Sequence, residues 1–147
     1  MDCLDYQKIP KRQNLYCEVC NKYTQMENVS RFFSWANIFI FLLNRGNLDK
    51  DNSLNNIPFK IEEKIDISKY FVANLNSKLQ YKLTGIVSLT TKSNKNEYVS
   101  FCKSPFDQNW YLYNDCNISQ LTVDEIIKDH NNDRSFIPFI LVYKLNE

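Results

Sequence analysis

Short apolar runs separated by polar stretches dominate the chain and predict more strand than helix. Residues 38–43 form an uncharged run of aromatic, Ile and Leu side chains, which is typical of a buried strand. Residues 80–91 alternate instead, as a half-buried strand does. Its predicted core-facing residues are Tyr81, Leu83, Gly85, Val87 and Leu89, with Ile86 as the one apolar residue on the opposite face.

Three further strands and two helical segments follow from the same pattern. Residues 98–103, 110–113 and 139–145 are predicted strands, the last with Pro138 at its start, where a missing N–H does least damage. The sequence Thr122-Val123-Asp124-Glu125 has capping-box spacing and predicts a helix that Asn131-Asn132 ends. A shorter helical turn is predicted over 66–71. The pattern indicates an α+β fold with a mostly antiparallel sheet and short helices.

Length and charge limit the classes of function. The chain has 147 residues, enough for one domain, and 18 basic residues stand against 17 acidic ones. We therefore expect no nucleic-acid or membrane partner. The polar segments 46–56 and 91–96 are predicted to be solvated connections. The first residues lack the apolar core of a signal peptide, so we expect a cytoplasmic or nuclear location.

Cys17 and Cys20 form the only cysteine motif, Cys-Glu-Val-Cys, among five cysteines. Such a turn brings two thiolates toward one tetrahedral Zn²⁺, which needs four ligands. Cys3, Cys102 and Cys116 form no second pair with suitable spacing. We expect no cofactor from this half-site alone, and zinc only if another segment supplies a second ligand pair. The simpler interpretation is two reduced thiols at a turn.

Several short motifs occur in an order that resembles one enzyme family. They lie at residues 39–46, 65–70, 81–87, 97–103, 110–118 and 139–143, downstream of the Cys-x-x-Cys pair. In order and spacing they resemble the C-terminal, histidine-box half of the ubiquitin-specific proteases. That family has Y-x-L-x-G-V, a Gly-rich loop, G-H-Y-x-x-Y and W-x-x-(F/Y)-(D/N)-D in the later part. The resemblance covers nearly the whole chain.

The resemblance implies a partial papain-like cysteine peptidase fold. The whole chain would be one fragment of a catalytic domain, with residues 1–35 a remnant of the zinc-bearing fingers and 36–147 the palm. In the family, ubiquitin is gripped by thumb, palm and fingers, and a thiolate attacks the carbonyl at the end of its tail. The implied partner is ubiquitin or a ubiquitinated protein, and an exposed palm face would suit another protein.

Carrying the family pattern onto this sequence places Glu97 where the family has its catalytic His. Asn114 takes the position of the orienting Asp or Asn, and Asp115 is its neighbour. No N-terminal Cys box is present, so no nucleophile is assigned. A glutamate has a free pKa of about 4.3 against about 6.5 for histidine, so at neutral pH it rarely holds a proton to donate. We therefore predict that this chain is inactive.

The remaining candidates carry weaker signals. Asn96 and Tyr98 flank Glu97 and are the residues that would contact ubiquitin, although the family's glycines are missing from 91–96. The sole histidine, His130, is predicted to be an exposed residue at a helix end. A set of aromatic residues is predicted to fill the core: Phe101, Trp110, Tyr111, Tyr113 and Tyr143.

Three hypotheses about function remain open. The chain is a non-catalytic ubiquitin-specific-protease-like module that binds ubiquitin or a partner. Alternatively, it is one piece of an active thiol-dependent deubiquitinase whose Cys-bearing half is encoded upstream. In the third hypothesis it is an adaptor or structural domain with no link to ubiquitin.

Overall fold

The computed structural model describes residues 7–8, 15–24, 27–28, 31–45, 59–72, 78–90, 97–133 and 135–146. The predicted polar connections at 46–56 and 91–96 lie outside these ranges. Within them, no helix is long and apolar enough to cross a membrane.

Eleven strands and one short α-helix make up the described part of the chain. The strands are β1 Gln7–Lys8, β2 Leu15–Cys17, β3 Lys22–Thr24, β4 Glu27–Asn28, β5 Ile38–Leu42, β6 Lys64–Asp66, β7 Gln80–Thr90, β8 Glu97–Lys103, β9 Trp110–Asn114, β10 Asn117–Leu121 and β11 Phe136–Leu145. The α-helix, α1, spans Val123–Lys128 and continues as a π-helical turn over Asp129–Asp133. A 3-10 turn covers Ser68–Tyr70, within the predicted helical segment.

Seven of the strands form one antiparallel sheet in the order β10-β9-β8-β7-β11-β5. β6 pairs with the first residues of β7, on the same side of β7 as β8. Two small hairpin-like pairs, β1 with β4 and β2 with β3, stand apart from this sheet. The prediction of a mostly antiparallel sheet with short helices is confirmed.

Two bulges in the pairing of β7 with β11 change which side chains face the core. Thr84 is the extra residue between Leu83 and Gly85 on β7, and Phe139 is the extra residue on β11. Because side chains alternate with a period of two, each bulge shifts the alternation by one residue. The prediction of one continuous core face on β7 is therefore wrong after Leu83. The sequence pattern placed Ile86 on the face opposite to the core, but its side chain lies in the core.

Pro138 lies inside β11 and does not begin it, which corrects the sequence prediction. The strand starts at Phe136, two residues earlier. At Pro138 only β7 pairs with β11, since the pairing of β5 begins at Ile140. The missing N–H of Pro138 therefore leaves no carbonyl of a described neighbouring strand without its hydrogen bond. The carbonyl of Pro138 accepts a hydrogen bond of 3.0 Å from Arg45 Nε.

One face of the sheet is covered by the segment 59–71 and by α1. The shared core includes three of the five predicted aromatic residues, Phe101, Trp110 and Tyr143. Tyr111 and Tyr113 lie on the opposite face, where Tyr113 keeps 38% of its surface exposed, so the prediction of burial fails for them. They pair with Cys102 and Ser100, which alternate with Phe101 and so face the other way.

The predicted capping box at the start of α1 is present. Thr122 Oγ1 accepts a hydrogen bond from the Glu125 N–H, and the Glu125 carboxylate accepts one of 2.8 Å from the Thr122 N–H. These bonds satisfy two of the donors that a helix N-terminus leaves unpaired. Ile126 then packs into the core, so the cap positions the helix on the sheet.

Replacing Thr122 by alanine is expected to lower the free energy of unfolding by about 1 kcal/mol, because the side-chain cap is lost. The change would be measured by urea denaturation at neutral pH. Thr122→Ser is the matched control, since it keeps the hydroxyl and should stay within about 0.5 kcal/mol of the parent. Equal losses in the two variants would show that the cap does not stabilise the fold.

Candidate functional site

Glu97 and Asn114 lie on the same face of the sheet, on the neighbouring strands β8 and β9. Phe101 and Leu112 are directly opposite each other and share a face. Glu97 alternates in phase with Phe101, and Asn114 alternates in phase with Leu112. The two residues predicted to take the positions of the family's His and its orienting residue are therefore brought to one side, at the same end of the sheet. Both are half-buried.

Asp115 begins the two-residue turn between β9 and β10. Asn114 pairs with Asn117 across this hairpin. Asp115 has a φ of 49°, a conformation that Asp tolerates better than most residues do. Its place in the turn gives Asp115 a structural role that is independent of any catalysis.

Tyr98 points to the face of β8 opposite to Glu97, because consecutive strand residues alternate. Its side chain is 52% exposed, and its ring contacts Phe139 edge-on with centroids 5.4 Å apart. Asn96, the other predicted ubiquitin-contacting residue, lies outside the described residues. The structure therefore does not bring Glu97 and Tyr98 onto one surface.

His130 is buried with 5% of its surface exposed, so the prediction of an exposed helix-end residue is wrong. Its ring lies between two aromatic side chains, with centroid distances of 5.0 Å to Phe101 and 5.6 Å to Phe136. Its Nδ1 is 2.7 Å from the carbonyl of Ile126, and its Nε2 is 2.8 Å from Ser88 Oγ.

The hydrogen-bond partners assign the tautomer of this imidazole. A carbonyl oxygen only accepts, so Nδ1 carries the proton and donates to Ile126. Nε2 then accepts a hydrogen bond from the hydroxyl of Ser88, a fully buried residue. Burial lowers the pKa of His130, while the bond to Ile126 and the charge of Asp129 act in the opposite direction. Both nitrogens of the chain's single histidine are therefore engaged inside the core.

The sequence carried a signal for this burial that the prediction did not use. His130 follows Ile126 by four positions, which places it on the same helix face as that core residue. The serine that it meets could not be found in the same way. Ser88 enters the core only because the bulge at Thr84 shifts the alternation of β7.

Cys17 and Cys20 lie at the tip of the β2–β3 hairpin. Cys17 ends β2, and the turn runs through Cys20 to Asn21, which has a φ of 50°. The pKa of the Cys17 thiol is lowered first by the backbone N–H of Cys20, then by the Cys20 side chain and the N–H of Val19. Backbone N–H groups directed at sulfur stabilise a thiolate.

We expect iodoacetamide to modify Cys17 faster than Cys102 at pH 7.5. The thiolate is the reactive species, and desolvation around its sulfur raises the pKa of Cys102 although the residue as a whole is exposed. Mass spectrometry of tryptic peptides after timed alkylation would give the two rates. The urea-unfolded chain is the control, in which the two cysteines should react at similar rates. Faster reaction of Cys102 in the folded chain would contradict the expectation.

The donor set at the hairpin tip does not by itself fit a structural zinc site. Zinc in such sites takes four Cys or His ligands. Among the described residues, no group of three or more His, Cys, Asp or Glu side chains could hold a metal ion. Cys17 and Cys20 thus provide two ligands of four, and no step of a mechanism follows from a metal here.

Comparison with known proteins gives one consistent answer. The sequence profile described as ubiquitin carboxyl-terminal hydrolase matches residues 5–143. The fold is similar to Ubp8-containing SAGA DUB modules of known structure. In one bound to monoubiquitin, the match has 20% identity and a TM-score of 0.73, and covers 99% of this chain and 32% of that chain. In one bound to ubiquitin aldehyde, the match has 19% identity and a TM-score of 0.74, and it covers 99% of this chain and 33% of that chain.

A third match is a yeast SAGA DUB module with an Sgf73 mutant, at 19% identity and a TM-score of 0.72 over 97% of this chain and 30% of that chain. At these identities the structures establish the fold alone. The present chain spans about a third of the length of the chains that it matches. The profile match over almost all of the sequence establishes the family. The chain belongs to the ubiquitin carboxyl-terminal hydrolase family, as the C-terminal part of a ubiquitin-specific protease domain.

Proposed function

We propose that this chain is a ubiquitin-specific-protease-like module that does not cleave isopeptide bonds and that binds ubiquitin or a ubiquitinated protein. The observation that carries the first half is the location of its one imidazole. His130 donates to a backbone carbonyl and accepts from Ser88 in the core, so it has no nitrogen left for a substrate. A cysteine nucleophile needs such a base within hydrogen-bond reach.

Glu97 supports the same proposal from the other side of the site. It stands on the same sheet face as Asn114, where the family pattern has its histidine. Its carboxylate could orient a group or accept a proton, but at neutral pH it is a poor proton donor for a leaving amine. Even if a further segment supplied a cysteine, a carboxylate beside a thiol raises the thiol pKa and weakens the nucleophile.

Ubiquitin binding is proposed from the relatives and from one exposed side chain. Two of the matched DUB modules are bound to monoubiquitin and to ubiquitin aldehyde. Tyr98 is half exposed on the sheet face opposite to Glu97 and is the residue that we expect to contact ubiquitin. Zinc binding at Cys17 and Cys20 is proposed only with a second ligand pair from another segment. A cytoplasmic or nuclear location is part of the same proposal.

Two measurements test the two halves separately. In the first, ¹⁵N-labelled ubiquitin is titrated with the chain into the high micromolar range, with Tyr98→Ala as a variant and Phe106→Ala as the control. Phe106 is a 96% exposed aromatic residue in the β8–β9 connection. We expect ubiquitin resonances to shift with the parent and the control, and less with Tyr98→Ala. The absence of shifts would remove ubiquitin binding and favour the adaptor hypothesis.

The second measurement concerns catalysis. The longest native product of the gene is incubated with ubiquitin that carries an electrophile at its C-terminus. We expect no covalent adduct by mass spectrometry, under conditions in which an active ubiquitin-specific protease is labelled completely. An adduct that disappears on mutation of a cysteine would establish the alternative, an active thiol-dependent deubiquitinase of which this chain is one piece.

A further inference from the structure

The outer edge of β10 carries backbone hydrogen-bonding groups that have no partner in the described part of the chain. β10 is the last strand of the sheet and pairs with β9 alone. Because a two-residue turn joins these strands, Asn114 and Asn117 exchange the first two hydrogen bonds, and bonded pairs then alternate. Ile118 and Gln120 therefore direct their N–H and C=O groups outward, where no described group meets them.

This edge lacks the features that usually keep a sheet from gaining a strand. The strand Asn117–Leu121 contains no charged residue and no proline, and its pairing with β9 has no bulge. Its first four residues are exposed. Charged side chains, prolines and bulges are common protections of an exposed edge. Without them, β10 can accept an extended segment as a further strand.

A cleft of about 570 Å³ opens at the C-terminal end of this edge. Its apolar lining consists of Trp110, Leu121 and Val123. Leu121 is the last residue of β10 and lies directly opposite Trp110 of β9. The volume is within the range of pockets that bind ligands. A strand added along β10 would therefore bring one of its side chains to this cleft.

Trp110 supplies a polar group that the protein itself does not use. Only 6% of the residue is exposed, and its indole N–H donates to no group in the described ranges. No fully buried polar side-chain atom of these residues lacks a partner, so this N–H is open to the cleft that the ring lines. An indole N–H can only donate. A side chain that fills the cleft must therefore offer it an acceptor.

Three ionisable side chains line the cleft, namely Glu63, Lys103 and Glu125. The carboxylate of Glu125 is held in place because it accepts hydrogen bonds of 2.8 Å from both the N–H and the hydroxyl of Thr122. A carboxylate has about four acceptor sites, so it can accept a further bond from a ligand. Two carboxylates against one ammonium group disfavour an anionic side chain here.

The loop beside the cleft is held by its own hydrogen bonds. The Ser104 N–H donates to the Asn109 carbonyl over 2.8 Å. The Asp107 carboxylate accepts from the Asn109 N–H at 3.0 Å and from the Tyr111 hydroxyl at 2.6 Å. Gln108 and Asn109 of this loop line the cleft. This wall is therefore formed before a ligand arrives, which lowers the entropic cost of binding.

We infer that β10 and this cleft bind an extended segment of a partner protein as an antiparallel strand with a tyrosine in the cleft. The ring of the tyrosine would pack on the apolar lining. Its hydroxyl can accept from the Trp110 N–H and donate to the Glu125 carboxylate. An arginine has donors only and leaves the indole N–H without an acceptor, and a phenylalanine satisfies neither group. A phosphorylated tyrosine would bring negative charge to two carboxylates.

Strand pairing sets the register of the added segment. Directly opposed residues share a face, so the tyrosine lies opposite Leu121, and the next three residues lie opposite Gln120, Ser119 and Ile118. A second copy of this chain does not fit this register. Two β10 strands paired about Ser119 would place Asn117 opposite Leu121, which brings an amide and no ring to the cleft.

This site is separate from the one that contains Glu97. Glu97 and Lys103 are the two ends of β8, and six residues of strand correspond to about 20 Å. Ubiquitin binding was proposed at Tyr98, beside Glu97 in sequence. Failure of one proposal therefore leaves the other intact, and the two can be tested independently.

The probe is the acetylated peptide Ser-Thr-Tyr-Thr-Val-Thr-Ser-Lys with fluorescein on its lysine. Binding to the intact chain is followed by fluorescence anisotropy and by ¹⁵N chemical-shift mapping. We expect the shifts to centre on residues 103, 108–110 and 117–123. A peptide with phenylalanine in place of tyrosine should bind about tenfold more weakly, because its hydrogen bonds are lost. Peptides with arginine or phosphotyrosine there should also bind at least tenfold more weakly.

Backbone methylation tests whether the peptide binds as a strand. The threonine after the tyrosine lies opposite Gln120, so its N–H would donate to the Gln120 carbonyl. N-methylation of this threonine should weaken binding at least tenfold. The valine that follows lies opposite Ser119, and its N–H points away from β10. N-methylation of the valine is the matched control and should leave the affinity unchanged.

Variants of the protein test the same two contacts. Gln120→Pro removes an outward N–H at a position where an edge strand tolerates proline, and it should weaken the tyrosine peptide at least tenfold. Gln120→Thr keeps this N–H and is the control. Trp110→Phe keeps a ring but removes the indole N–H, so the preference for tyrosine over phenylalanine should fall to near onefold. Binding of the phenylalanine peptide at the parent's affinity would show that this variant is folded.

Five results would overturn the inference. They are equal affinity for the tyrosine and phenylalanine peptides, tighter binding of the arginine peptide, tolerance of the N-methylated threonine, shifts that centre away from β10 and the cleft, and displacement of the peptide by monoubiquitin. Dimer formation in light scattering that the peptide reverses would assign the edge to a second copy instead.

Discussion

Replacing His130 by alanine is expected to lower the free energy of unfolding by about 3 kcal/mol, measured by urea denaturation at pH 7.5. Two causes add. Removal of the ring leaves a cavity between Phe101 and Phe136, whose rings now contact it. It also leaves the buried Ser88 hydroxyl without its imidazole partner, while the Ile126 carbonyl keeps only the bond from the Asp129 N–H. Unsatisfied buried polar groups cost free energy in addition to lost packing.

Two further variants separate these causes. Ser88→Ala removes only the hydroxyl and should cost about 1 to 2 kcal/mol, because Nε2 is then left unsatisfied. Lys128→Ala, on the same helical segment but exposed, should cost less than about 1 kcal/mol. If His130→Ala were no more destabilising than Lys128→Ala, the histidine would not be the core residue that the structure makes it.

Local patterns were sufficient to predict five of the seven strands of the main sheet, the α-helix and the 3-10 turn, whereas β1 to β4, β6 and β10 were not predicted. The capping box at Thr122 is encoded within four residues, and the 3-10 turn at Ser68–Tyr70 falls within the predicted segment 66–71. Strands β5, β7, β8 and β9 begin and end within about one residue of the predicted bounds. Such signals depend on neighbours in the sequence, so a single sequence contains them. The motif order was sufficient for the family as well.

Features set by pairing between distant strands were not predictable. The bulge at Thr84 depends on the register of β11 against β7, some 60 residues apart in sequence, and it reversed the assignment of Ile86 and Ser88. The position of Lys82 opposite both Lys64 and Lys144 likewise depends on the registers of three strands together. No alternation within one strand reveals which residue of another lies opposite.

The candidate site divides in the same way. The resemblance assigned Glu97 and Asn114 to the family's His and orienting positions, and the structure puts both side chains on one face of the sheet. The roles of these residues stay predictions. Strand alternation alone would have placed Tyr98 on the face opposite to Glu97, but the prediction did not use it. The burial of His130 was missed because a polar residue near a helix end is usually exposed.

Acidification from pH 7.5 to pH 5 is expected to destabilise the protein through His130. Burial lowers the pKa of this imidazole in the folded state, whereas the unfolded chain has a histidine pKa of about 6.5. Below that value the unfolded chain binds the proton more readily, so the free energy of unfolding falls as pH falls. One such group contributes at most about 1.4 kcal/mol per pH unit, and its contribution stops once pH reaches the folded pKa. Urea denaturation midpoints at half-unit intervals would measure the slope.

The stability linked to Asp107 is lost at lower pH than the stability linked to His130. Hydrogen bonds from Tyr111, Ser104 and Asn109 lower the pKa of Asp107 to about 2, so the stability linked to Asp107 is lost only as pH falls below about 4. His130→Gln removes the titrating group and keeps an amide that can bond to Ser88. Relative to its value at pH 7.5, the free energy of unfolding of this variant should change little between pH 6.5 and 5, while that of the parent falls. Parallel slopes in the two proteins would mean that the acid sensitivity arises elsewhere and that His130 is not held neutral in the core.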